Sequence, residues 1–261
     1  MLAAEDNIQV VNATTSAQYF HVLRRQLHRE VRKPLVVFTP KSLLRSADAT
    51  SPVSAFESGS FREVLDDPSL LAASGDAAAA SGDAGGGAAT ASGAGGSGDA
   101  GEASDRSETE GLARAEVRTV LLASGKVAYE LLRERDRRGA AATVVRVEQL
   151  YPFPAEQLAE VLASYPQASD VCWVQEEPGN MGAWTFVWPR LSGLLDELGD
   201  GRSLRHVARV PSASPAAGQH VVHDQEHELL LAEAFDPVPN APGTDATDAT
   251  DTTDATDTTD A

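Results

Sequence analysis

Four groups of residues in this chain of 261 residues have types and spacings suited to chemistry. His220, His223 and His227 fall within one stretch. On a helix, spacings of three and four residues bring successive imidazoles together, as in zinc chelates. The stretch has no third ligand of convincing type and no HExxH pattern, so the sequence predicts no metal site. Ser124-Gly125-Lys126 stands between a strand-like and a helix-like run, where backbone N–H groups at a helix start can bind phosphate. A P-loop also needs an upstream glycine and a Ser or Thr after the lysine; here the glycine is absent and Val127 follows. A tight turn with a surface lysine is the expectation. Glu176 and Glu177 follow a predicted strand ending at Gln175, where parallel α/β folds gather ligand contacts. Adjacent carboxylates in extended chain point to opposite faces, so capping or interface duty is expected of them. Cys172 is the only cysteine; set between Val171 and Trp173 in a core-like strand, it reads as a buried, inert thiol. A single cysteine excludes a disulfide framework and any multi-cysteine metal site.

The elements that must position these groups alternate in type. Residues 8–11 (IQVV) read as a strand and residues 17–27 as a helix, after the capping candidates of residues 12–16. Tyr19, Phe20, Leu23 and Leu27 fall at helical spacing there, with Arg24 and Arg25 flanking the stripe. Residues 35–38 (LVVF) are a second strand, which makes a βαβ unit and implies a parallel sheet. Two strands do not make an independent domain, so this segment reads as the end of a larger sheet. From about residue 115 the pattern resumes with strands at 117–123, 143–147, 170–175 and 204–210, separated by helices at 126–138, 155–164 and 182–198. Gly139 closes the first of these helices, and residues 149–154 (QLYPFP) are expected to stop the second strand. A last helix at 220–234 carries Val221, Leu229, Leu230 and Leu231. The expected fold class is a three-layer α/β sandwich preceded by a partial βαβ unit.

Net charge is −18, but its location matters. Residues 1–72 sum to zero, residues 73–111 carry −6, residues 112–235 carry −5, and the tail from 236 carries −7. Residues 73–110 are almost wholly Ala, Gly, Ser, Asp, Glu and Thr, and residues 244–261 are Thr-Asp-Ala and Thr-Asp-Thr triplets. Both stretches are too poor in apolar side chains to offset chain entropy and are expected to be disordered and solubilising. No basic stripe of the kind nucleic-acid binding needs is present. No apolar run approaches the roughly 20 residues of a membrane span, and the first residues have no signal-peptide pattern. A cytoplasmic protein is the expectation.

Several longer strings carry a family resemblance. Residues 14–26 (TTSAQYFHVLRRQ) and 32–45 (RKPLVVFTPKSLLR) resemble the thiamine-diphosphate-dependent decarboxylating component of 2-oxoglutarate dehydrogenase. The resemblance resumes at residues 122–129 (LASGKVAY), 146–154 (RVEQLYPFP), 173–184 (WVQEEPGNMGAW) and 211–218 (PSASPAAG), in the family's order. The version with VVFTPKSLLR is most similar to the actinobacterial branch, where this component is fused to an acyltransferase domain.

The resemblance implies the following divisions. Residues 1–45 are the end of a pyrimidine-binding, transketolase-like domain, 46–72 a connecting segment and 73–115 a linker. Residues 116–235 are the family's C-terminal domain, similar to that of transketolases, and 236–261 an acidic tail. It implies oxidative decarboxylation of 2-oxoglutarate in the tricarboxylic acid cycle, with thiamine diphosphate and Mg²⁺ as cofactors. It also implies a homodimer and transfer of the product to a lipoyl-bearing succinyltransferase. The catalytic histidines and the diphosphate-and-metal domain of the family lie upstream of the matching strings, so no catalytic or cofactor-binding residue is assigned. The chain is expected to need those upstream domains for activity. In the actinobacterial branch acetyl-CoA is an activator, and Arg25 and Gln149 match effector positions; an arginine can pair with a phosphate. Ser60 stands in place of a lysine, and Glu156 and Gln157 in place of arginines, which weakens attraction for a polyphosphate. The alternatives are a standalone module that senses an acyl-CoA or other metabolite, and a gene fragment without function.

Overall fold

The computed structural model describes residues 3–69, 113–199 and 201–236. Most of the predicted linker and acidic tail lie outside the described residues. Arg114–Glu116, which straddle the end of the predicted linker, form a 3₁₀ turn, and Arg114 pairs with Asp66 at 2.7 Å. The first segment contains β1 (Gln9–Val11), α1 (Ser16–His28), β2 (Leu35–Val37), a short α2 (Ser54–Glu57) and β3 (Val64–Leu65). The second contains β4 (Thr119–Ala123), α3 (Val127–Arg138), β5 (Ala142–Val147), β6 (Gln149–Tyr151), α4 (Ala155–Ala163), β7 (Asp170–Pro178), α5 (Trp184–Leu198), β8 (Ser203–Arg209) and α6 (His220–Phe235).

Five strands form the larger sheet in the order β3-β5-β4-β7-β8. All neighbours are parallel except β3, which runs antiparallel to β5. β4 and β5 are buried along nearly their whole length, which is why they read as continuous apolar runs. On one face Leu158 and Leu162 of α4 and Val187 and Leu191 of α5 pack on Val120, Leu122, Val145 and Trp173. On the other, Val127 and Leu131 of α3 and Leu230 and Ala234 of α6 pack on Leu121, Val144, Cys172 and Val174. Helix, sheet and helix make the three layers expected. Each of these fully buried leucines contributes roughly 1.5–3 kcal/mol of transfer free energy. α3 stops at Gly139, whose φ of +60° is the left-handed region. Its N–H donates to the carbonyls of Arg135 and Asp136.

β1 and β2 are parallel and joined by α1, the predicted βαβ unit. Thr15 caps α1, its side chain accepting from Gln18 N at 3.2 Å. Two findings differ from the sequence reading. Residues 149–151 continue as β6, which leaves the larger sheet and pairs antiparallel with β1. The connecting segment supplies β3, an edge strand of the larger sheet. The redirection occurs at Glu148, whose N–H and that of Gln149 both donate to Glu63 O, while its carbonyl accepts from Asn12 N at 2.8 Å.

The apolar stripe of α1 also faces the other way from a core stripe. Ala17, Gln18, His21 and Val22 are the buried positions. Phe20 and Leu27 are 43% and 69% exposed, and Leu23, Val31, Val36 and Phe38 are exposed as well.

Candidate functional site

The two sheets meet at a polar seam. Arg25 points from α1 to the junction. Its Nη1 donates to Glu63 Oε1 at 2.7 Å, and its Nη2 donates to Gln149 Oε1 at 2.7 Å and Gln9 Oε1 at 3.1 Å. The guanidinium stacks 4.2 Å above the Phe61 ring. Burial lowers the Arg25 pKa, opposed by the Glu63 charge. The predicted pair Arg25 and Gln149 is thus brought together, 124 residues apart in sequence. Glu63, Gln9 and Phe61, which complete the group, carried no sequence signal. Each is separated from Arg25 by chain whose path only the fold defines.

Beside this group lies a groove of about 280 Å³ lined by His21, Arg24, Arg25, His28, Gly59, Ser60 and Phe61. Its four basic side chains, His21, Arg24, Arg25 and His28, come from one face of α1, so an anion is the ligand class it suits. Arg25 would have to exchange Glu63 for that anion. Glu156 and Gln157 are exposed on α4 and are not among the lining residues.

A second part of the seam is fully buried. Glu148 accepts from Thr14 N at 2.8 Å and from the Thr14 hydroxyl. Arg146 Nη1 donates to Thr14 Oγ1 at 3.2 Å, and the Tyr129 hydroxyl donates to Thr14 O at 2.8 Å. Desolvation pushes the Glu148 carboxyl up, with the Arg146 charge pulling it back. This cluster fastens β1 and α1 to β5 and α3.

The other sequence candidates are placed as follows. β4 and β7 are neighbours whose following helices, α3 and α5, lie on opposite faces, so a crevice opens between their carboxyl ends. Ser124, Gln175 and Glu177 line it together with Asn12, a cavity of about 220 Å³. Gly125 has φ +80°, and a Cβ there would fall 2.4 Å from Asn12 Nδ2. Lys126 is more than a surface lysine: its Nζ lies 2.6 Å from Glu130 Oε1 and 3.3 Å from Glu176 Oε1. Glu176 and Glu177 diverge, as extended chain requires. His227 joins Glu130 and Glu176, whereas His220 pairs with Asp224 at the exposed start of α6. Cys172 is buried, and desolvation pushes its thiol up to about 12. Among the described residues no helix is long and apolar enough to cross a membrane.

Comparison with known proteins gives two family matches. Residues 103–235 match the family described as 2-oxoglutarate dehydrogenase C-terminal. Residues 1–47 match the transketolase pyrimidine binding domain. Over 235 residues the chain is 39% identical to the 2-oxoglutarate dehydrogenase E1 component of Cupriavidus necator, covering 90% of this chain and 20% of that protein. Identity to the proteins of the same name is 36% over 239 residues in Shouchella clausii and 34% over 251 residues in an Exiguobacterium species. These alignments cover 89% and 93% of this chain, and 21% and 22% of those relatives. The chain therefore spans about a fifth of the length of the curated relatives it matches.

Proposed function

The chain belongs to the 2-oxoglutarate dehydrogenase C-terminal family, and from that membership we propose that it is the supporting C-terminal portion of a 2-oxoglutarate-decarboxylating dehydrogenase component. The observation that carries this is the uncovered apolar surface of the first segment. Phe20, Leu23 and Leu27 on α1, the last 69% exposed, leave an apolar helix face largely open among the described residues, and Val36 and Phe38, on the side of β2 turned away from α1, are exposed as well. Parallel strands are stable when covered on both faces, and two of them with one helix do not stand alone. The remainder of a pyrimidine-binding sheet, in the same polypeptide or on a second one, is the partner this surface fits. A homodimer and a lipoyl-bearing succinyltransferase are the further partners of such an enzyme.

Thiamine diphosphate and Mg²⁺ are the cofactors of this reaction, and the described residues do not fit them. Mg²⁺ on a diphosphate takes carboxylate or carbonyl oxygens that face the cleft holding the ligand. The one cluster of three metal-ligating side chains among the described residues is Glu130, Glu176 and His227. It lines neither of the two cavities described, and its third member is an imidazole where Mg²⁺ takes oxygens. The role assigned here is therefore positional: the seam holds α1 and β2 at a fixed attitude to the larger sheet. The purified chain, given thiamine diphosphate, Mg²⁺, 2-oxoglutarate and an electron acceptor, should show no turnover. Clear turnover by the chain alone refutes the proposal.

A second reading rests on the basic groove of Arg24, Arg25 and His28. It takes the phosphates of an acyl-CoA, with Arg25 released from Glu63 and Gln149 lining the ligand. Calorimetry with acetyl-CoA should give a binding isotherm that Arg25→Ala abolishes. No heat in the unmodified chain excludes it.

A further inference from the structure

The histidine run that has no third ligand in sequence finds candidates in the fold. α6 lays His227 against α3 and the end of β7, where Glu130 and Glu176 project. One imidazole nitrogen and one oxygen from each carboxylate lie within 4.8 Å of one another. His227 Nε2 is 3.3 Å from Glu130 Oε2, and that oxygen is buried and accepts no hydrogen bond. The His223 ring stacks on His227 with centroids 6.1 Å apart. We infer that Glu130, Glu176 and His227 form a site for a divalent transition ion of the zinc class, whose position the Lys126 ammonium fills in the metal-free protein.

The chemistry follows from the donor set. One imidazole and two carboxylates suit zinc-like ions, whereas Mg²⁺ and Ca²⁺ prefer oxygen alone. Lys126 is a competitor and not a barrier: its stem is flexible and its side chain is 29% exposed, so the ammonium can swing to solvent. A divalent ion then replaces one positive charge by two, facing the same two carboxylates. His223 stands one helical turn before His227, its ring stacked on that of His227. Residues 223–227 read H-x-x-E-H, an order found on metallopeptidase helices. The hydrolytic role does not transfer, because Glu226 pairs with Arg209 at 2.9 Å and the cluster lines none of the cavities described. The site is structural: an ion there ties α6 to α3 and to the sheet. It is independent of the enzymatic reading above.

The test uses the whole chain after chelator treatment, with Zn²⁺ followed by calorimetry and Co²⁺ by its visible absorption. One equivalent should bind, with the Co²⁺ bands of a low-coordinate site that includes nitrogen. His227→Ala should weaken binding about 100-fold, and Lys126→Met, which removes the competing cation, should tighten it about 10-fold. His220→Ala should change neither. Absence of saturable Zn²⁺ binding overturns the inference. So does affinity that His227→Ala leaves unchanged, which would mean ions on carboxylates elsewhere. Should His227→Ala fail to fold by circular dichroism, Lys126→Met decides, and no tightening in that variant overturns the inference.

Discussion

Asp67 provides the sharpest test of how the connecting segment is held. Its side chain is 0% exposed, and that of its partner Arg135 is 9% exposed. The carboxylate accepts from the Arg135 guanidinium, from Ser69 N at 3.0 Å and Ser69 Oγ at 2.6 Å, and from Val144 N at 3.0 Å. β3 is only two residues long, so Asp67 takes over a backbone donor of β5 that a longer strand would have paired. Asp67→Ala removes the buried one of two carboxylate partners of the Arg135 guanidinium, Asp136 Oδ1 remaining 2.7 Å from Nη2, which costs about 1.5–3 kcal/mol. It also leaves the Val144 N–H without its acceptor, about 1 kcal/mol or more. The sum, near 2.5–4 kcal/mol, corresponds to a fall in Tm of roughly 5–16 °C at about 2–4 °C per kcal/mol for a body of this size. Asp67→Asn keeps an acceptor for Val144 N and should cost less. Arg135→Met removes the cation, and the double variant should be more stable than the sum of the single losses predicts, with a coupling of about 1.5 kcal/mol or more. Urea unfolding followed by tryptophan fluorescence reads all four proteins, since Trp173 is in the core. A loss below about 1 kcal/mol for Asp67→Ala, or strict additivity in the cycle, would show that the pair is incidental.

Three other outcomes are expected. Glu134 accepts from Arg137 and Arg138, and the Arg137 hydrogen bonds, followed by those of Arg138, lower its carboxyl from 4.5 to about 2. A depressed carboxyl stabilises above its unfolded pKa, so this contribution is present above about pH 4.5 and is lost as pH falls through about 2; the Glu134 side-chain carbon shift in an NMR titration reports it directly. Cys172 should resist thiol reagents in native protein at pH 8 and react fully in denaturant, and labelling of the native state at the denatured rate would contradict its burial. Gly125→Ala should destabilise by about 1–3 kcal/mol, because φ is +80° and the new Cβ meets Asn12 Nδ2; pairing it with Asn12→Ala should recover only the steric part, measured by thermal melting.

What the sequence made legible was whatever a local period encodes. The βαβ unit, the central strands and the Gly139 stop are written in apolar runs, capping residues and a single left-handed position. β6 was hidden because three residues after a buried glutamate carry too little period, and the proline that follows reads as a stop. The face of α1 was misleading for a different reason. Tyr19, Phe20, Leu23 and Leu27 do form a stripe, but a stripe says only that something apolar covers it, not that the covering atoms belong to the same segment. The Arg25–Gln149–Glu63 group was half legible: two members came from family likeness, and the third could come only from the chain path. Lys126 looked like a surface lysine because neither of its carboxylate partners, four and fifty residues away, declares itself locally.

Because β6 belongs to one sheet while β5, one residue earlier, belongs to the other, the chain has no slack where a hinge would need it. The segment that supplies β3 crosses back in the opposite sense, so each sheet contains a strand drawn from the other's stretch of sequence. α1 is therefore tied to both, through Arg25 to Gln149 of β6 and to Glu63 beside β3. Whatever docks on Phe20, Leu23 and Leu27 therefore bears on a helix whose opposite side is bonded to strands drawn from both stretches of the sequence.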